Sequence, residues 1–470
     1  DCPAGMPYTC RMETLFSFFI KTLGGAFAAF FSFKAYVILP VFMLVLAGIA
    51  RMKHTDALRA AIRIAAGFAG IFVVFNFFVS QIGPVIDSII ARRGLEYPVM
   101  DIGWPPLAAI TWSSALTPIA IVLVMLVNLA MLASRTTKNL YIDLWNYWHF
   151  AFLGVLIQSA TGSLALGFVS VVVITVFTIK MAEWSAPYVR RETGLDGIAV
   201  SPLSVVGLLP WAAALNALFD RIPFVRSLNW NPSGHAGKKD PLLGEPMVIG
   251  FLVGAFLSAL AGFGVRELLE TSVNIAAVMF LLPKCGELIG QGMGAVSHSF
   301  KTLVEQKFPS FTGLSIAMDT GFLLTNPSVI ATGLILMPVS LALAFILPGN
   351  RVLPVGDLPN LISIFSLSVL IFRGNVIRSV IAGIPVIATF LWFSSSLAPV
   401  FTAEAQKAGM DFGAAGREIT AFTDGGNQIR FWLYHLFSLN PAALAILPIA
   451  AFLVFIAWKA HRKNATGKLY

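Results

Sequence analysis

The stretch Trp112-Ser-Ser-Ala-Leu-Thr-Pro-Ile-Ala-Ile-Val-Leu-Val-Met-Leu-Val-Asn-Leu-Ala-Met-Leu-Ala133 runs for 22 residues without a charged side chain. A helix crossing a bilayer needs about 20 such residues. Similar apolar runs lie near Tyr36 to Ile49, Ala60 to Phe78, Leu164 to Ile179, Val200 to Phe219, Met247 to Phe263, Val273 to Leu282, Val329 to Leu347, Leu361 to Phe372, Val376 to Trp392 and Pro441 to Trp458. Together they predict an all-α polytopic membrane protein of about eleven transmembrane helices. The composition agrees, with 57% hydrophobic and 12% charged residues over 470 positions. That balance excludes a soluble enzyme, a secreted disulfide scaffold and a disordered chain. The runs are continuous rather than alternating at period two, which excludes an outer-membrane barrel.

The formal charge of +9 comes largely from clusters beside apolar runs: Arg51 to Lys53, Arg92 and Arg93, Arg190 and Arg191, Lys238 and Lys239, and the tail Lys459, Arg462, Lys463 and Lys468. This is the positive-inside pattern of cytoplasmic loops, not a nucleic-acid surface. Placing the Arg51 cluster and the tail both inside requires an odd number of spans, an outer N-terminus and a cytoplasmic C-terminus. The expected division is an N-terminal segment 1–34 with an interfacial helix near Leu15 to Phe33, a first membrane half 35–219, a cytoplasmic loop 220–245, a second half 246–458 and a basic tail 459–470. Residues 1–11 lack the features of a secretory signal. Cys2, Cys10 and Cys285 have no metal-ligand spacing, although the first two can pair if they lie outside.

Four segments read as too short or too broken to cross cleanly: Ser80 to Trp104, Glu287 to Phe308, Thr312 to Pro327 and Phe401 to Gln428. Non-helical backbone at membrane depth survives only where protein or a water-filled cavity covers it, so these are expected re-entrant hairpins around a cavity. A weak repeat supports this. Arg63 precedes Pro84 by 21 positions and Arg378 precedes Pro399 by 21, and Asp101 and Asp424 each precede a proline by 17. Paired broken segments in two halves point to a transport site at a repeat interface.

Ionisable groups among apolar runs cost roughly 2.5 to 3.5 kcal/mol each, so they require a reason. Asp319 lies mid-segment in Leu314-Ser-Ile-Ala-Met-Asp-Thr-Gly-Phe-Leu-Leu-Thr-Asn-Pro327, where Asn326-Pro327 interrupts the helix. His149 closes Asp143-Leu-Trp-Asn-Tyr-Trp-His, with Asn146 three residues earlier on the same helical face and Gln158 further along the same apolar helix. Glu245 opens a helix after the basic loop, where a carboxylate suits the N-terminus. Asp101 with Trp104, and Asp424 with Asn427, sit on the paired turns. Asp357 sits on a Pro/Gly-rich bend that exposes backbone to a ligand or only turns the chain. The sequence has no GxxxxGK[ST] phosphate loop, no Arg ladder and no TVGYG-type filter, so it contains no motif for ATP hydrolysis, voltage sensing or K⁺ selection. No cofactor is implied.

Asp101-Ile-Gly-Trp-Pro, Asp143 to His149, Gly244-Glu-Pro-Met-Val-Ile-Gly-Phe, Leu314 to Pro327, Pro348-Gly-Asn-Arg-Val-Leu-Pro-Val-Gly-Asp357 and Asp424-Gly-Gly resemble, in this order, the galactitol-type IIC membrane component of the bacterial phosphoenolpyruvate-dependent phosphotransferase system. The resemblance covers about Phe33 to Trp458. It implies inverted repeats, a scaffold and a mobile core that moves as an elevator, an eleven-helix homodimer and an inner-membrane location. It also implies partner proteins: IIB, which donates phosphate from a phosphocysteine, and IIA behind it. The substrate implied is galactitol or a related polyol, phosphorylated before release.

An alcohol is a poor nucleophile at neutral pH, so a carboxylate must take its proton as phosphorus is attacked. Asp319 is the expected base and His149 its partner. Gln81, Asn326 and the backbone of Val355, Gly356 and Asp357 are expected to answer substrate hydroxyls, with Trp104 packing on the carbon face. One position departs from the family. Where relatives carry a histidine after Gly-Ile-Ala, this chain reads Gly197-Ile-Ala-Val-Ser-Pro-Leu, which leaves other hexitols, pentitols or a ketose open. The alternative is an ion-coupled secondary transporter that uses the same acids and releases its solute unmodified.

Overall fold

A computed structural model describes residues 35–93, 97–232, 245–307, 314–324, 326–410 and 417–465. The N-terminal segment with its expected interfacial helix, Cys2, Cys10, Lys238, Lys239 and Lys468 lie outside the described residues.

In chain order the first half contains α1 (Ala35–Ile49), α2 (His54–Arg93), β1 (Val99–Asp101), α3 (Trp104–Trp112), α4 (Leu116–Ala133), β2 (Asn139–Leu140), a 3-10 turn (Leu144–Tyr147), α5 (Trp148–Thr161), α6 (Leu164–Thr193), β3 (Ile198–Val200), α7 (Leu203–Val206), α8 (Leu209–Phe219) and α9 (Pro223–Ser227). The second half contains α10 (Pro246–Leu260), α11 (Val265–Lys307), β4 (Ser315–Met318), a 3-10 turn (Thr320–Leu323), α12 (Pro327–Ile346), β5 (Val352–Leu353), α13 (Asn360–Ile371), α14 (Val376–Lys407), β6 (Glu418–Thr420), α15 (Phe422–Gly425), α16 (Gln428–Phe437), α17 (Pro441–Ala445) and α18 (Leu447–Ala465).

The chain is mostly helical, as expected. Among the described residues seven helices are long and apolar enough to cross a membrane, with shorter apolar helices at Leu39–Ile49, Leu203–Phe219, Met247–Leu260 and Asn360–Ile371. Large apolar side chains remain exposed along their outer faces, as at Val41, Val45 and Ile49, spaced four apart on α1. A lipid-facing surface needs that stripe.

Of the four expected breaks, one opens later than expected, at β1, and one does not exist. Ser80 to Arg93 completes α2, and Glu287 to Lys307 lies inside the 43-residue α11. Glycines are contact points between these long helices. A Cβ on Gly67 would lie 2.5 Å from Ile289 Cγ1, and one on Gly292 would lie 2.6 Å from the Ala60 carbonyl oxygen. Small residues let membrane helices approach this closely. Asn274 Nδ2 donates to Gln81 Oε1 across the same pair at 2.6 Å. The other two expected breaks are present, as β4 with its 3-10 turn and as β6 with α15. The expected span Val200 to Phe219 divides into β3, α7 and α8, with a turn at Gly207 and Leu208.

Among the described residues, six strands of two to four residues form two parallel sheets, in the orders β5-β1-β6 and β2-β4-β3. In each sheet the central strand comes from one half and both outer strands come from the other. Each central strand follows a long helix, α2 or α11, so the two halves are interlocked. The register of the expected repeat is different from the one the fold uses. Pro84 lies in α2, whereas Pro399 lies in α14, whose counterpart is α6; Pro187 and Pro399 each fall 23 residues after the start of those helices.

Candidate substrate site

Parallel strands bring their C-terminal loops to one edge, and there the polar side chains collect. Asn128 of α4 fixes the exit from β2: its Nδ2 donates to the Asn139 carbonyl at 3.0 Å, and its Oδ1 accepts from Tyr141 N at 3.0 Å. Beyond β2, Asp143 Oδ2 accepts from Asn146 Nδ2 at 2.8 Å and from Ser201 Oγ at 2.6 Å. Asn146 Nδ2 also donates to Asp319 Oδ2 at 3.0 Å. Asn146 is buried, whereas Asp319 is exposed, as is Met318 at 43%. An oriented carboxylate that solvent or a solute can reach therefore stands at the end of this sheet.

The other sheet builds a second version. Asp357 Oδ2 accepts from Thr423 Oγ1, and Asn360 Nδ2 donates to Thr423 Oγ1 at 2.9 Å and to Asp424 Oδ2 at 3.4 Å. Asp143-Leu-Trp-Asn146 and Asp357-Leu-Pro-Asn360 are thus the same device, an Asp and an Asn three apart joined to a hydroxyl that follows an outer strand, Ser201 after β3 and Thr423 after β6. The second version is closed. Asp101 Oδ1 accepts from Gly103 N (3.1 Å) and Phe422 N (2.9 Å), and its Oδ2 from Gly356 N (2.9 Å) and Asp357 N (3.1 Å). Gly103 and Gly356 cross in contact: a Cβ on Gly356 would meet the Asp101 carbonyl oxygen at 2.5 Å.

The two versions adjoin. Trp104 packs edge-on against Trp145 with centroids 5.8 Å apart, and Thr320 Oγ1 bonds to Ser363 Oγ of α13 at 2.7 Å. A small cavity beside them is lined by Phe78, Trp104, Met279, Asp357 and Asn360.

The expected partnership of His149 with Asp319 is not formed. The buried His149 ring meets Arg430 Nη2 through Nδ1 at 3.1 Å and faces Asp424 Oδ1 at 3.5 Å, while Asp319 is bonded to Asn146 and Thr320. Arg430 is fully buried, donates to the Asp424 carbonyl and lies over the Phe152 and Trp148 rings at 4.9 and 5.7 Å. Sequence reasoning missed it because it lies just beyond the expected broken segment Phe401 to Gln428, in a stretch with no expected role. The available signal was Asn427, whose side chain caps α16 at Arg430 N and fixes the direction of the helix.

Thus Asn146 and Asp319 meet at one sheet, and Asp101, Trp104, Val355, Gly356, Asp357 and Asp424 gather at the other. The expected exposed backbone at Gly356 and Asp357 is instead bonded to Asp101. Four expected residues lie elsewhere. Gln81 bonds Asn274 between the long helices, and Gln158 lines a separate cavity with Glu404 and Lys407. Glu245 is exposed at the head of α10, and Asn326 Oδ1 caps α12 at Ser328 N and Val329 N. Asp143, Ser201, Asn360 and Thr423 are additional members that only the fold brings together. Among the described residues no cluster of His, Cys, Asp or Glu suits a metal.

Residues 29–416 match the family of sugar-specific permease components of the PTS system. The galactitol-specific EIIC component of the PTS system from Escherichia coli K12 is 32% identical over 428 residues, covering 91% of this chain and 94% of that protein. The same component from Escherichia coli O157:H7 gives the same figures. A putative permease IIC component from Escherichia coli K12 is 31% identical over 440 residues, covering 93% of this chain and 98% of that protein.

Proposed function

The chain belongs to the sugar-specific permease components of the phosphotransferase system, and from that premise we propose that it binds galactitol or a closely related polyol, moves it inward and holds it for phosphorylation by a phospho-IIB partner. The observation that carries the mechanism is the exposed Asp319 carboxylate, oriented by Asn146 at 3.0 Å. A neutral polyol offers hydroxyls that Asp319, Asn146 and Asn360 answer, and carbon faces that Trp104 and Trp145 cover. As the substrate oxygen attacks phosphorus, its proton passes to Asp319, the new P–O bond forms and the P–S bond of the IIB phosphocysteine breaks to leave a thiolate. Asp143 and Ser201 position Asn146, and so act through it. His149 orients the Asp424 and Arg430 end of the site.

The seven long helices, three of the shorter apolar helices (Leu39–Ile49, Met247–Leu260 and Asn360–Ile371) and α5 together make the eleven spans of this reading, with α7 and α8 returning to the side from which they start. In it, α1, α2, α10 and α11 form the scaffold, joined by the Gly67 and Gly292 contacts and the Gln81–Asn274 bond. The two sheets and the helices that follow them form the core that moves as an elevator, and two copies form the homodimer. The strand exchange between halves supports an inverted repeat. Arg191, Arg226, Arg373, Arg462 and Lys463 are taken as the cytoplasmic side, with the C-terminus.

The test uses inner-membrane vesicles containing this protein, purified IIA and IIB with the general phosphotransferase components, and labelled galactitol, with and without phosphoenolpyruvate. Galactitol phosphate formed inside only with phosphoenolpyruvate is the expected result. Uptake of unmodified galactitol on an ion gradient overturns the reading.

A further inference from the structure

At the ends of α8, α13 and α14 that adjoin α9 lies a cavity of about 540 Å³, lined by Asn216, Asp220, Arg226, Arg373, Asn375 and Arg378 among others. It is separate from the polyol site, since Arg373 lies ten residues past Ser363, which is roughly 15 Å along the helix direction. Its lining is polar and carries three guanidinium groups against one carboxylate. Arg378 is nine-tenths buried; its Nη1 is paired with Asp220 Oδ1 at 2.8 Å, and its Nε has no partner among the described residues. Arg226 and Arg373 are exposed, and among the described residues neither is in an ion pair. Asn375 is not free to answer the excess charge, because it caps α14 at Arg378 N and donates to the Leu228 carbonyl. A buried guanidinium N–H without an acceptor is costly, and planar donors of this kind match phosphate oxygens.

The cavity opens on the end of the molecule where Arg191 bonds to the Leu370 carbonyl and His461 stacks on Trp184, the basic end assigned above to the cytoplasm. Resting on the phosphotransferase reading, we infer that this cavity is an anion site for a small phosphomonoester, the phosphorylated polyol leaving the protein. Phosphorylation converts a neutral solute into an anion. A basic cavity on the inward side of Asp319 attracts the product and has no comparable hold on the unmodified polyol.

The probe is inorganic phosphate, titrated calorimetrically into the full-length protein in detergent at fixed ionic strength. Saturable binding is expected, weakened at least tenfold in the double variant Arg226→Gln/Arg373→Gln. Arg221→Gln, an exposed cation outside the lining, is expected to bind as wild type does. Polyol affinity in the double variant stays unchanged, which separates loss of the anion site from misfolding. Phosphate binding that is absent, or equal in wild type and double variant, overturns the inference. The same titration in nanodiscs distinguishes a lipid headgroup: phosphate binding abolished by phosphatidylglycerol and present in zwitterionic lipid assigns the cavity to lipid and also overturns it. Vesicles from the same preparations report phosphoenolpyruvate-dependent phosphorylation. Its absence in wild type fails the functional reading, whereas its presence with unaltered phosphate binding fails only the anion site.

Discussion

Replacing Asp101 with Asn separates a structural knot from a substrate ligand. Each carboxylate oxygen of Asp101 accepts two backbone N–H donors, and the four donors come from the 103 turn, the 356–357 bend and the start of α15. An amide keeps one accepting oxygen, and its NH₂ cannot accept, so either rotamer leaves two buried N–H groups facing a donor. Orphaned buried donors cost about 1–3 kcal/mol each, so Asp101→Asn is expected to destabilise by about 2–6 kcal/mol. This is a large share of the roughly 5–15 kcal/mol that holds a typical domain folded. Tryptophan fluorescence during heating in detergent is expected to show an unfolding midpoint lowered by several degrees. Protein that remains folded at low temperature is expected to bind galactitol with near wild-type affinity. An unchanged midpoint with lost polyol binding would refute the knot and return Asp101 to the ligand set.

Asp319→Asn is expected to retain polyol binding and to lose phosphoryl transfer at least a hundredfold in the vesicle assay, because general-base contributions are typically about 10²–10⁴-fold; retained transfer removes Asp319 from the base role. Gly356→Ala is expected to cost about 1–3 kcal/mol by overpacking, since its Cβ would fall 2.5 Å from a backbone oxygen that cannot swing aside, and the same melting experiment reads it. Arg430→Met removes the donors to the Asp424 carbonyl and His149 and is expected to destabilise by about 3 kcal/mol or more; a melting midpoint equal to wild type contradicts the buried anchor. Asn146→Ala frees Asp319 from its orienting bond and is expected to lower the rate of phosphorylation more than it weakens polyol binding, measured in the vesicle assay and by calorimetry.

Apolar run length made the helical membrane class legible, and the quoted motifs made the family legible. Long segments with little charge leave few alternatives once water is removed as a hydrogen-bond partner. The six strands were not legible, because two to four residues are too short to display a period of two. The 43-residue α11 was misread for a different reason. Lys284, Glu287, Gln291 and four glycines between Gly286 and Gly294 look like a breaker in isolation, yet Lys284 pairs with Glu287, which also accepts from Gln291, and Gly286 and Gly292 receive Trp104 and Ala60. Local composition is compatible with either outcome, and packing decides. For the site, Asp319 and Asn146 were identified singly, but their 3.0 Å bond depends on a strand pairing that nothing local signals.

The Asp-Leu-x-Asn device, present twice, explains why one sheet is suited to chemistry and its neighbour to support. In both versions the Asn side chain joins its Asp to one more carboxylate. At the β5-β1-β6 sheet that carboxylate is Asp424, buried with His149 and Arg430 beside it, while Asp101 ties both halves of the chain through four backbone bonds. At the β2-β4-β3 sheet the extra carboxylate is Asp319, bonded to Asn146 and Thr320 and otherwise exposed. An acid enclosed by four backbone donors, as Asp101 is, is committed to holding strands together. An acid held by two side-chain bonds and otherwise open can exchange a proton with a solute. In the proposed mechanism one copy of the motif is the strut and the other the site, and the bond between Thr320 and Ser363 joins the two.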